Sequence, residues 1–149
     1  MAKMRVNGVD TMIATYEQLA SLSYEEKLSV LTAGAEVLRE ALTEAIKTRF
    51  RVITGALSES ITVRDISKGE SPLLIVGATG KHPKSTTGKR RKGKGHYEGT
   101  NAEILYLLNY GSDRIDASHV FDDTLEQQSE AMTAAMQAAF DEIITSKGL

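Results

Sequence analysis

The chain has 149 residues, 41% of them hydrophobic, with no cysteine and no tryptophan. That length suits one domain with a real core, and the lack of cysteine excludes disulfides and thiolate metal sites. The net charge of −2 conceals a division: residues 81–96 hold seven Lys or Arg and no acid, whereas residues 116–142 hold seven acids and no Lys or Arg. Such separation points to charge-guided contact within or between subunits. No run reaches the roughly 18 apolar residues of a membrane span, and the N-terminus lacks the apolar stretch of a signal peptide. No membrane contact is therefore expected.

Residues 1–10 read as irregular or as a short edge strand, with Gly8 as a turn signal. Asp10 or Thr11 caps a short expected helix through Met12, Ile13, Tyr16, Leu19 and Ala20. Ser23 and Glu26 form a capping box. From there Leu28, Leu31, Ala35, Leu38, Leu42, Ala45, Ile46 and Phe50 recur at spacings of three and four. This is one apolar stripe, and it predicts a helix about 40 Å long. Gly34 reads as a tolerated flaw, about 1 kcal/mol worse than Ala. The helix is expected to stop near Val52, before the turn at Thr54-Gly55.

Residues 60–66 alternate, with Ile61 and Val63 on one face and Thr62 and Arg64 on the other. A turn at Gly69 to Pro72 leads to a second, more buried strand at Leu73 to Val76, which completes a β-hairpin. Residues 77–99 are rich in Gly, Lys and Ser-Thr, with almost nothing to bury. Within them, 81–99 is expected to be a mobile basic loop. Residues 102–111, AEILYLLNYG, form the most apolar run. Thr100 and Glu103 are spaced as a capping box, Asn101 is a second N-cap, and Gly111 suits a C-terminus. A buried strand is the rival reading, but the caps favour a helix. Leu105 and Leu108 are expected buried, and Tyr110 at least half buried. Ile115, Ala117, His119 and Phe121 alternate and predict one more strand. Asp122 or Asp123 then caps a final helix with the stripe Leu125, Met132, Met136, Ala139, Phe140 and Ile143. The order implies a single α+β domain over 1–149. A long N-terminal amphipathic helix and a C-terminal helix pack on a small, mainly antiparallel sheet, with a long basic loop.

No catalytic constellation assembles from these residues. Gly77 to Lys81, GATGK, follows a strand, but a phosphate loop needs four residues between its glycines and Ser or Thr after the Lys. His82 and His96 flank a basic run that opposes metal ions. His119 beside Asp122 and Asp123 reads as a structural or surface histidine rather than as a general base. Asp122, Asp123 and Glu126 at a helix start read as dipole partners rather than as paired catalytic carboxylates. No enzyme, cofactor or metal is expected. The sharpest functional candidate is the basic loop, with Lys81, Lys84, Lys89, Arg90, Arg91, Lys92 and Lys94. It suits phosphate backbone or an anionic protein surface. Tyr97 is the only aromatic beside it, which disfavours base readout.

Two landmarks carry a resemblance. The long helix followed by Thr54-Gly55-Ala56-Leu57-Ser58-Glu59-Ser60-Ile61 resembles the "TGxLxxSI" junction of tail-completion, or head–tail joining, proteins of long-tailed bacteriophages. A hairpin ending in "VG" follows in that family, matched by Val76-Gly77. A variable basic loop comes next, then a "YxxxxEYG" or "EFG" segment, matched by Ile104 to Gly111 with Asn109-Tyr110-Gly111. The resemblance spans roughly residues 6 to 146, and the order of short motifs carries it. Asn109 stands where the family has an acid, and residues 117–121 lack the proline of the family's "ARPF" stretch.

The resemblance implies a non-enzymatic virion protein at the neck, assembled in the host bacterial cytoplasm. It would complete or terminate the tail tube and join it to the head as a homo-oligomeric ring, with tail-tube and head-connector proteins as partners. Thr54, Gly55, Leu57, Ile61, Tyr110 and Gly111 would be fold-defining. Asp122, Asp123, Glu126 and Glu130 would meet basic residues of a neighbouring subunit. The alternative is a nucleic-acid-binding accessory protein that uses Lys81 to His96 for non-specific DNA contact.

Overall fold

The computed structural model describes residues 17, 20–50, 55–81 and 99–148. The expected N-terminal strand, most of the first expected helix, Thr54, His82, His96 and the basic-loop residues Lys84, Lys89, Arg90, Arg91, Lys92 and Lys94 lie outside the described residues. The elements are α1 (Tyr24–Arg49), α2 (Ala56–Glu59), β1 (Ile61–Asp65), β2 (Leu74–Ala78), α3 (Asn101–Tyr110) and α4 (Val120–Ser146). They make an α+β fold: a long N-terminal helix, a long C-terminal helix and an antiparallel two-stranded sheet.

α1 starts as its sequence dictates. Ser23 Oγ accepts from the Glu26 N–H at 3.2 Å, and the Glu26 carboxylate accepts from the Ser23 N–H at 2.7 Å. Both arms of the capping box satisfy amides that would otherwise lack partners. The stripe buries Ala35, Leu38, Leu42 and Ile46. The helix ends at Arg49, earlier than expected, because Phe50 takes an extended backbone and packs against the core.

The two long helices lie antiparallel, and an ion pair closes each end. Arg49 meets Asp123 at 2.7 Å, joining the end of α1 to the start of α4. Lys147 meets Glu26 at 2.7 Å, joining the end of α4 to the start of α1. Between them the helices approach closely at Gly34. A Cβ built there would lie 2.7 Å from Met136 Cγ and 3.3 Å from the Met132 carbonyl oxygen. Gly34 is therefore not a flaw in a helix but the residue that admits α4. Its propensity penalty is the cost of that contact.

The core cluster is Leu42, Ile46, Ile61, Ala78, Leu105 and Val120, with Phe50, Leu57, Val76 and Phe121 packed against it. Every principal element contributes. Leu57 and Ile61 reach the core as expected, although Leu57 does so from the single turn of α2 rather than from a strand. Gly55 takes φ 73°, which favours glycine, and Ser58 Oγ donates to the Gly55 carbonyl at 2.9 Å. The hairpin pairs Ile61 with Ala78, Val63 with Val76 and Asp65 with Leu74. β2 is slightly the more buried strand, as expected, with only Ile75 exposed against Arg64 and Asp65 in β1, although Leu73 just before it is exposed as well.

The segment from 112 to 119 corrects the sequence reading most. No strand forms there; Ser112 and Ile115 make only an isolated bridge. The amides of Ser118 and His119 donate to the carbonyls of Leu108 and Asn109 at 2.9 and 3.0 Å. These bonds finish the C-terminus of α3, so the backbone that would have built a ladder is already engaged. Gly111, at φ 80°, turns the chain so tightly that a Cβ would lie 2.8 Å from the Ile115 carbonyl oxygen. α4 then begins at Val120, before either expected cap. Most of its expected stripe holds: Met132, Met136, Ala139, Phe140 and Ile143 are partly buried, but Leu125 is exposed, and the fully buried residues are Val120, Thr124 and Ile144.

Candidate functional site

Three described surfaces are candidates: the base of the basic loop, the acidic start of α4 and the exposed apolar groups. The loop base is the best defined. Lys81 and Thr100 pair as an antiparallel bridge. The Asn101 N–H donates to the Gly80 carbonyl at 3.0 Å, and Asn101 Nδ2 donates to the Thr79 carbonyl at 2.8 Å. Asn101 is buried, so these bonds replace water that it has lost. Thr100 caps α3 through its capping box with Glu103. Thr100 and Asn101 at the start of α3 thus fix the base of the loop, and the run 102–111 is helical up to Tyr110, as its caps suggested. Lys81 stands exposed at the root of the basic segment.

At the other end of α3, Asn109 joins two helices. It is 2% exposed. Its Oδ1 accepts from the Phe121 N–H at 2.8 Å, and its Nδ2 donates to Asp122 Oδ2 at 3.0 Å. The N-cap residue itself, His119, has φ 50° and makes no side-chain cap bond. Asn109 therefore caps α4 from another element. Asp122 and Asp123 are not the caps; they lie in the first turn, where the helix dipole favours them. A carboxylate at 109 could accept from Phe121 but would face the Asp122 carboxylate. This is a physical reason for Asn at that position.

The four acids grouped by sequence have different surroundings. Asp122 holds Asn109 and lies 3.7 Å from His119 Nδ1. Asp123 pairs with Arg49. Glu126 and Glu130 are exposed farther along α4. Tyr110, expected to be at least half buried, is 55% exposed. Its ring lies beside that of Tyr106, with centroids 4.9 Å apart. Leu105 is buried as expected, whereas Leu108 is only partly so. α3 has a narrow inward face, and the buried polar pair Asn101 and Asn109 occupies both ends of it. The sequence raised Asn101 only as a spare cap and Asn109 only as a departure from a motif. Neither reading foresaw a buried role, because the partners lie on other elements.

Among the described residues no group of three or more His, Asp or Glu is placed to hold a metal ion. None of their helices is long and apolar enough to cross a membrane. The grooves along α4, past Leu125, Ser129, Met132 and Thr133, are shallow and open, so they offer a surface rather than a reaction chamber. No family model, curated protein or solved structure matches the chain.

Proposed function

We propose that the chain is a structural, non-enzymatic protein of a bacteriophage neck. It assembles as a ring that completes the tail tube and joins it to the head. The observation that carries this reading is the order of the two landmarks in one chain. The Gly55 to Ile61 junction is followed by a hairpin ending at Val76-Gly77, a basic segment and a helix ending Asn109-Tyr110-Gly111. Both landmarks have demanding geometry that supports the comparison. Gly55 and Gly111 adopt positive φ, and Ile61 and Leu105 enter one core.

The physical chemistry agrees with an assembly role. A two-stranded sheet leaves strand edges and one face for partners. The separated charge would guide encounter and register between subunits more than it supplies affinity. The basic segment, fixed at its root by Lys81 and Thr100, would meet tail or connector subunits or the DNA passing through the ring. The reading places the protein in the virion after assembly in the host cytoplasm.

Deletion of the gene from the phage or prophage that encodes it, with electron microscopy of the lysate, tests the proposal. Filled heads without joined tails, or tails of irregular length, are expected. Normal virions at normal yield would refute it. The second reading, a DNA-binding accessory protein, is favoured only by the seven clustered cations. It predicts duplex binding that persists at physiological salt, whereas a structural role predicts weak binding with a steep salt slope.

A further inference from the structure

The pairing register sorts the hairpin side chains into two faces. Ile61, Val63, Val76 and Ala78 share the face whose Ile61, Val76 and Ala78 belong to the core. Arg64, Ile66, Leu73 and Ile75 share the other. On that outer face Leu73 is 56% exposed and Ile75 40%. Ile66 continues the pairing through its N–H to the Leu73 carbonyl at 2.9 Å, and its side chain is exposed as well. A Cβ built on Gly77 meets nothing within 4 Å. Thr62, opposite Gly77, completes this face and is partly buried; beyond it the exposed part is an apolar stripe with one cation, Arg64, and no carboxylate.

We propose that this outer face docks the flank of α4 from a second copy of the chain. Leu125 would enter the Ile66–Leu73–Ile75 stripe, and Glu126 and Glu130 would face Arg64. The inference rests on the self-assembly reading above and names the surfaces that assembly uses. Its first support is charge complementarity. Asp122, Glu126 and Glu130 recur at i, i+4 on α4, an arrangement of like charges that weakens an isolated helix. Arg49 is engaged by Asp123 and Lys147 by Glu26, so neither relieves that column. The second support is Leu125, a large apolar side chain 40% exposed between these acids. The third is the failure of the symmetric alternative. Two copies of the hairpin face would bring Arg64 against Arg64 with no acid between them. A contact between unlike surfaces is heterologous, and such contacts close into rings or extend into filaments.

Sedimentation of the full chain over a range of protein concentrations tests the assignment, with circular dichroism to check folding. Wild type is expected to associate beyond the monomer. Arg64→Glu should weaken association by roughly tenfold or more, as should the pair Glu126→Arg and Glu130→Arg. Mixing those two proteins, or combining all three changes in one chain, should restore it. Leu73→Asp should also weaken association, with no charge partner able to restore it. If wild type associates and these variants associate equally well, the surface assignment is wrong while the ring reading stands. If wild type remains monomeric at every concentration, and also with its neck partners, both fail.

Discussion

The α3–α4 junction and the outer face of the hairpin are built on opposite principles. At the junction polar groups find partners inside the chain. Asn109 caps α4 and holds Asp122, while Ser118 and His119 close α3. On the hairpin the inner face joins the core, but on the outer face Ile66, Leu73 and Ile75 are exposed among the described residues. The lesson is that one region specifies the fold and the other is available to an assembly. Substitutions at the first should change stability, and those at the second should change association.

The largest stability effect should come from Leu42→Ala. Leu42 is fully buried between the long helix and the strands, and its truncation should cost about 3–4 kcal/mol in urea unfolding. Next comes Asn109→Asp, which keeps the acceptor for Phe121 but sets a buried carboxylate against Asp122. A loss of about 2 kcal/mol is expected, growing as pH rises through the carboxylate range. Gly34→Ala sharpens the same side of the comparison. In a free helix it would gain about 1 kcal/mol. Here the contact with Met136 should cancel that gain or turn it into a loss, seen as an unchanged or lowered thermal midpoint.

Acid should loosen the ties between elements. The Lys147 ammonium and the Ser23 amide hold the Glu26 carboxyl below its usual range. Ser67, through hydroxyl and amide, and the Tyr24 hydroxyl do the same for Asp65. Both pKa values are depressed in the folded state. Their stabilising contribution is therefore complete above the usual carboxylate range and is lost as pH falls through the folded values. Glu26→Gln should flatten the acid limb of a stability–pH profile; an unchanged limb would show that the pair is inert. The smallest effect belongs to the hairpin face. Leu73→Ser should change stability by less than about 0.5 kcal/mol while reducing association.

How much of this was legible beforehand follows from where each residue's partners lie. The capping boxes at Ser23–Glu26 and Thr100–Glu103 were readable because both partners fall within one turn. The long stripe of α1 was readable for a similar reason: one helix face repeats its own signal. The strand expected around Ile115 failed because alternation is a local pattern, whereas Ser118 and His119 bond to α3. The start of α4 was misplaced because its cap, Asn109, comes from another helix. Gly34 was misjudged because its neighbour, Met136, is distant in sequence. At the candidate surfaces the charge division was plain from composition. Which acids already have partners in the chain, and which face of the hairpin lies open, required the register and the packing.

Cryo-electron microscopy of the intact virion neck tests the central claim most directly. The account predicts density for this chain as a closed ring at the head-proximal end of the tail, with α4 of each copy against the outer hairpin face of the next. A neck built without this chain would contradict it.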